Sequence, residues 1–238
     1  MNKKNVILAT ALFLASAASA ATATAAESAP QSAPAEKAWT HMVDFGLAFP
    51  VAKYKVDGKK VGMVGYTLDV NYLGVARNGF SLEGSVAGGY STTDDIKFEG
   101  EKDDLQLGRY TSLDFGVGYT FGAGKSFSVS VLGTAGYEIA YFESESHEYK
   151  HEELGKVDRY FGAAFGGLTL GGDVIVHKTL SPRMGVYAGV SGRWIAASVA
   201  MSTANYEKDD FTRTDTSVDD DNSGLYSIVP AIGATIRF

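Results

Sequence analysis

The sequence has no cysteine and, past its first twenty residues, no long apolar run. Without cysteine the chain cannot form disulfide bonds, and it cannot carry the lipid-modified cysteine of a lipoprotein. A transmembrane helix needs roughly 18 or more consecutive apolar residues, and no stretch after the N-terminal region approaches that length. If the protein lies in a membrane, it must therefore cross the membrane as strands.

The N-terminal residues have the composition of a secretory signal. Lys3 and Lys4 provide the positive start, residues 6–15 are apolar, and Ala18-Ser19-Ala20 is a small-residue cleavage site. These features predict export and cleavage near Ala20. Residues 21–38 are rich in Ala, Ser, Thr and Pro and have no periodic apolar face, which predicts a flexible tail in the periplasm.

The rest of the chain alternates between apolar and polar residues, as half-buried strands do. In the last segment every second residue from Tyr226 to Phe238 is apolar or small, and Arg237 lies on the opposite face. The same period marks eight segments, at about residues 41–53, 61–76, 80–91, 107–121, 127–141, 160–178, 184–200 and 226–238.

The connections between these segments alternate in length. Three are short turns, at Arg77-Asn78-Gly79, residues 122–125 and Ser181-Pro182-Arg183, and four are longer and polar, at residues 53–60, 92–106, 142–159 and 202–224. Short turns at one end and long loops at the other are typical of outer-membrane barrels. The predicted fold is therefore all-β, an eight-stranded antiparallel up-and-down transmembrane β-barrel over residues 39–238, with both chain ends at the periplasmic side.

A soluble eight-stranded barrel is the alternative, because alternation alone does not say which face is inside. The distribution of charge favours the membrane, since each predicted strand carries a single ionisable residue on its polar face. We therefore expect these eight residues in the lumen: Asp44, Asp69, Glu83, Asp114, Glu138, Asp173, Arg193 and Arg237.

An eight-stranded barrel has an interior that side chains just fill, which favours a plugged lumen over a gated ion path. We expect Arg193 and Arg237 each to bridge carboxylates. The acidic residues outnumber these two arginines, so some acids must be protonated, bind water or cations, or lie near the mouths of the barrel.

These patterns resemble the small eight-stranded bacterial outer-membrane proteins, such as OmpX and the transmembrane domain of OmpA. The resemblance covers Trp39 to Phe238 and is sharpest at the C-terminus. There Gly233, Ile236 and Phe238 match the signal that the barrel-assembly machinery recognises, while Ala231 departs from it. The resemblance implies location in the bacterial outer membrane, contact with outer-membrane lipid, and assembly by that machinery.

One motif suggests a metal site. His147 and His151 occur in an H-E-x-x-H sequence, which binds zinc when it is helical and a third ligand is present. Here it has acidic neighbours and no apolar face, so we expect no metal centre and keep the two histidines as weak candidates only. No cofactor and no enzymatic activity are predicted, because no strand places a serine beside a histidine at the outer rim.

The net charge of −7 is concentrated in the three longest loops, whereas the loop at residues 53–60 is basic. Acidic loops exclude nucleic acid as a partner and suit a host or surface ligand. The basic loop could contact the phosphates of lipopolysaccharide. We expect a monomer that acts through its loops in adhesion, surface protection or envelope integrity. A narrow porin-like channel and a lipid-modifying enzyme are the alternatives.

Overall fold

The computed structural model describes residues 38–56, 59–93, 96–98, 101–103, 105–144, 146–208, 211–219 and 225–238. Within these ranges the chain forms thirteen strands: β1 (Trp39–Ala48), β2 (Val51–Val56), β3 (Lys59–Ala76), β4 (Phe80–Thr93), β5 (Ile96–Phe98), β6 (Glu101–Asp103), β7 (Leu105–Phe121), β8 (Phe127–Ser144), β9 (His147–His151), β10 (Gly155–Ser181), β11 (Met184–Lys208), β12 (Phe211–Asp219) and β13 (Leu225–Arg237). In the same ranges no helix has the length and apolarity to cross a membrane.

Eight antiparallel strands of the barrel form a closed ring, and each is called a wall here. β1 and β2 together make the first wall, which is interrupted at Phe49 and Pro50. The other walls follow in the order β3, β4, β7, β8, β10, β11 and β13. Closure is direct, because β1 pairs with β13 from Met42 opposite Arg237 to Ala48 opposite Ala231. The predicted eight-stranded up-and-down barrel is confirmed.

The short turns and the C-terminal residue lie at one end of the barrel. Phe238 N donates to His41 O (3.0 Å), and Arg237 N donates to Arg183 O in the third short turn (2.9 Å). Gly79 in the first short turn has a φ of 91°, a conformation that favours glycine. Short turns mark the periplasmic end of outer-membrane barrels, so the opposite end is extracellular.

The alternation predicted from the sequence places apolar side chains outside. Strand β8 shows the pattern, with Val131, Tyr137 and Ile139 exposed and Ser130 and Glu138 buried. Large apolar side chains such as these would be unfavourable in water over so wide a surface. The outside of the barrel is therefore a surface for lipid.

Two girdles of aromatic residues bound this apolar surface. The periplasmic girdle comprises Tyr72, Phe80, Tyr119, Phe121, Phe127 and Phe238, and the extracellular one Tyr66, Tyr90, Tyr137, Trp194 and Tyr226. Phe80 and Tyr90, at the two levels of β4, are about 26 Å apart along the barrel axis for a rise of about 3.4 Å per residue and a tilt of about 40°. This matches the apolar band of outer-membrane barrels, and the protein is an integral barrel of a bacterial outer membrane.

The strands continue well beyond the extracellular girdle. Strands β10 and β11 have 27 and 25 residues, more than twice the roughly 9–11 needed to cross the bilayer. Residues predicted as polar loops form paired strands instead: β9 pairs with the start of β10, and β12 pairs with the end of β11. Residues 53–56 and 59–60, predicted as the basic loop, pair as a hairpin between β2 and β3.

The predicted signal peptide at residues 1–20 and most of the predicted tail lie outside the described residues, and both stay predictions.

The orientation of the barrel wall can be tested with single cysteines, since the chain has none of its own. Leu170 is 51% exposed on the outside and Thr169 is 2% exposed inside. In lipid vesicles, a fluorophore on Leu170→Cys should be quenched by brominated acyl chains. A fluorophore on Thr169→Cys, the matched control, should not be quenched. Quenching at Thr169→Cys alone would mean that the wall is inside out.

Candidate functional site

Near the periplasmic end of the lumen, one buried carboxylate accepts hydrogen bonds from two neighbouring side chains. Asp44 is fully buried, and its Oδ2 accepts from His177 Nε2 (2.9 Å). Its Oδ1 accepts from Thr235 Oγ1 (2.7 Å), so three walls of the barrel meet at one acid. Buried charge is costly without such partners, and these bonds hold the closure strands β1 and β13 together.

A polar layer crosses the middle of the lumen. We use this name for Asp69, Asn71, Glu83, Asp114, Asp173 and Arg193. Arg193 is its only basic member: its Nη2 is 2.7 Å from Asp114 Oδ2, and its Nη1 donates to Tyr110 (3.2 Å). Asp69 is half-buried and accepts from the hydroxyl of Tyr187 (3.0 Å).

Glu138 lies above this layer and is held by hydroxyl groups rather than by an arginine. Tyr54 donates to its Oε1 (3.1 Å), while Tyr110 (3.0 Å) and Ser227 (3.2 Å) donate to its Oε2. The donors come from β2, β7 and β13, so one buried carboxylate connects four walls. A lumenal role for these two tyrosines was not predicted. Their positions on the inward-facing side of β2 and β7 are the signal that could have shown it.

Arg237 differs from its predicted role of bridging carboxylates. It is partly buried near the periplasmic mouth, and its Nε donates to the sulfur of Met42 (3.5 Å). Among the described residues no carboxylate lies within ion-pair distance of it. The eight predicted lumenal residues thus do not form one network: Asp44 and Glu138 have their own partners, and Arg193 alone bridges within the polar layer.

The extracellular half of the lumen is apolar, which the sequence did not predict. An upper cluster fills it above the extracellular girdle, with fully buried Phe142, Phe161 and Tyr206 among its members. Tyr149 from β9 packs on this cluster and lies 5.9 Å from Tyr206 between ring centroids. A smaller lower cluster, including Met42 and Leu73, lies toward the periplasm. Within the described residues, apolar side chains thus pack in the lumen at two levels.

The residues predicted as the assembly signal lie on both sides of the wall. Ile236 and Phe238 face lipid at 40% and 60% exposure. Gly233 lies opposite Gly46, and a Cβ atom there would lie 2.1 Å from Phe45 O, 2.5 Å from Gly46 Cα and 2.7 Å from the ring of Tyr187. Gly233 therefore allows β1 and Tyr187 to approach β13 closely, and its part in an assembly signal stays a prediction.

The H-E-x-x-H segment is a strand, not a helix. β9 pairs with β10 from His147 opposite Arg159 to His151 opposite Gly155. At about 3.3 Å per residue, backbone positions four apart in a strand are about 13 Å apart, too far for two histidines to share one ion. The residues in this segment instead support the upper cluster: Arg159 lies 4.9 Å above the ring of Tyr149.

The outer face of the β11–β12 hairpin is an exposed polar surface outside the membrane. Its cross-strand pairs are Thr203 with Thr216, Asn205 with Thr214, and Glu207 with Thr212. Thr214 Oγ1 donates to Asn205 Oδ1 (2.8 Å), and Thr212, Thr214 and Thr216 are exposed. A flat array of hydroxyl and amide groups of this kind can exchange hydrogen bonds with a ligand.

Ion pairs connect this hairpin to its neighbour. Arg213 on β12 donates to Asp215 (3.1 Å) and to Glu153 in the turn between β9 and β10 (3.0 Å). Both carboxylates raise the pKa of Arg213, Asp215 more strongly. On the neighbouring hairpin, Glu148 accepts from Lys156 at 2.8 Å and raises the pKa of that lysine. Exposed pairs contribute little stability, and of these three only the pair between Arg213 and Glu153 joins the two hairpins.

Comparison with known proteins gives solved structures of small outer-membrane barrels. The chain is similar to neisserial surface protein A (11% identity, TM-score 0.48, 85% of this chain and 98% of the other). It is also similar to OprG of Pseudomonas aeruginosa (15% identity, TM-score 0.49, 85% of this chain and 97% of the other). A third similar structure is Ail of Yersinia pestis bound to the heparin analogue sucrose octasulfate (15% identity, TM-score 0.43, 85% of this chain and 100% of the other). No protein-family model and no curated protein matches. At these identities and TM-scores, the function has to be inferred from this chain's own residues.

Removal of Arg193 should destabilise the barrel, because it leaves Asp114 buried and unpaired. We expect Arg193→Met to lower the free energy of unfolding by about 3–5 kcal/mol, the usual cost of breaking a buried ion pair from one side. Urea unfolding of the protein refolded in lipid vesicles measures this. The double variant Arg193→Met with Asp114→Leu should recover most of the loss. A loss below about 1 kcal/mol in the single variant would contradict the assignment.

Proposed function

We propose that this protein is a surface-recognition barrel, whose membrane part is a closed frame and whose extracellular hairpins bind a partner in adhesion. The observation that carries the proposal is the hairpin extension itself. Its strands are paired, its interior is packed by the upper cluster, and Arg213 connects two of its hairpins. A rigid surface loses little conformational entropy when it binds, which favours recognition over a merely solvated loop.

The β11–β12 hairpin is the best-defined contact surface. Its outer face presents Thr212, Thr214 and Thr216, and acidic residues follow at both ends of β12 in the sequence, at 209–210 and 219–221. A hydroxyl face on a hairpin whose flanking sequence is acidic fits a polar partner with a basic surface. This refines the expectation of acidic loops, because the threonines supply the contact face.

Thr214→Lys combined with Thr216→Lys should reduce adhesion of cells that carry the protein, since two cations would meet a basic partner. Binding to a panel of immobilised extracellular-matrix proteins should fall at least about tenfold, which corresponds to about 1.4 kcal/mol. Binding by the wild type should also weaken as salt rises. Thr92→Lys, at an exposed threonine of β4, is the control. Equal loss in control and variant would count against the hairpin.

The closed lumen predicts that the refolded protein forms no steady channel in planar bilayers. In the part of the chain that the structure describes, the upper and lower clusters occupy the lumen, and the cavity in the polar layer measures only about 30 Å³. A steady single-channel conductance, reproduced with independent preparations, would favour the porin-like alternative. The absence of enzymatic activity stays a prediction.

A further inference from the structure

The cavity in the polar layer is lined by three buried side chains with spare oxygen atoms. Asn71 and Asp173 are each 4% exposed and Glu83 is 6% exposed. Its volume of about 30 Å³ is room for about two particles of the size of a water molecule. It lies within the apolar belt, so bulk water does not solvate these groups.

Each of the three presents one oxygen that has no hydrogen-bond partner among the described residues: Asn71 Oδ1, Glu83 Oε2 and Asp173 Oδ1. Asn71 Nδ2 donates to Glu83 Oε1 (2.7 Å), which leaves Asn71 Oδ1 as an acceptor. Glu83 and Asp173 lie within hydrogen-bonding reach of each other, so all three oxygens are acceptors when both acids are ionised. Buried acceptors without a donor cost free energy until something electropositive is placed between them.

The nearest donors are engaged elsewhere. Arg193 directs Nη2 to Asp114 and Nη1 to Tyr110, and the hydroxyl of Tyr187 serves Asp69. Ser191 and Arg193 also line the cavity: Ser191 hydrogen-bonds to Asp173, and Arg193 Nε bonds to none of the three oxygens. Four carboxyl groups in the layer face one guanidinium group, so the surroundings of the cavity attract positive charge.

We propose that the cavity binds a monovalent cation of the size of sodium through Asn71 Oδ1, Glu83 Oε2 and Asp173 Oδ1, with water completing its shell. Calcium prefers about six to eight oxygen ligands, more than three side chains and the one water that fits beside the ion supply. The site is independent of surface recognition by the hairpins.

A bound cation should stabilise the fold by mass action, which thermal unfolding can measure. For the full chain in detergent, replacing N-methylglucamine chloride by sodium chloride at constant ionic strength should raise Tm by about 5 °C and then saturate. Glu83→Gln should lose this rise, because its amide supplies a donor to the cavity. Asp44→Asn, at an acid with complete partners, should lower Tm but keep the sodium-dependent rise.

A second measurement does not depend on the folding of a variant. Crystals of the wild type soaked in a thallium(I) salt should show an anomalous peak within coordination distance of Glu83 and Asp173. Two outcomes would overturn the proposal. One is a Tm that is indifferent to the cation but rises as the pH falls, which would indicate a proton shared by the two acids. The other is an absent thallium peak together with an equal Tm in both salts, which would indicate water alone.

Discussion

Closure of the sheet between β1 and β13 is the constraint on which the rest of the structure depends. A closed barrel has no free edges, so every backbone group in the bilayer finds a partner. Closure also makes the two faces of each strand unequal: one face meets lipid, and the other is confined with the inward faces of seven other walls. Every polar group on that inner face must then find its partner inside the lumen.

The lumen meets most of this requirement by division into levels rather than by one charge network, and in the polar layer it leaves oxygens of Asn71, Glu83 and Asp173 without a donor. Asp44 is satisfied by His177 and Thr235, Glu138 by three hydroxyl groups, and Asp114 by Arg193. At Glu138, three hydroxyl groups donate where an arginine could have paired with the carboxylate. Hydroxyl donors avoid burying a second charge, so the barrel tolerates an excess of acids without a matching number of bases.

The alternation of residues along each strand was sufficient to predict most inward-facing side chains, but not which of them contact each other. This alternation (the parity of a position) is a local property. The contact between Glu138 and Tyr54 depends instead on the register and tilt of strands that are far apart in the sequence. The bulge at Ala196 shows the limit of parity. It lies between the pairs Leu168–Ala197 and Thr169–Ile195, and beyond it even-numbered residues such as Ala200 and Tyr206 face inward. No sequence pattern identifies the position of such an extra residue before the structure is known.

The extracellular hairpins were predicted as loops because their outer faces are threonine-rich and charged. They lack the apolar outer residues by which the membrane-spanning strands were recognised. Their inner faces nevertheless carry Phe142, Phe161 and Tyr206, which pack together only once the barrel wall holds the strands in register. The membrane part therefore acts as a template: it fixes the spacing of β8, β10 and β11, and the upper cluster extends that spacing into water. Rigidity at the cell surface follows from order in the bilayer, so a change in the polar layer that loosens the barrel should also be felt at the β11–β12 face.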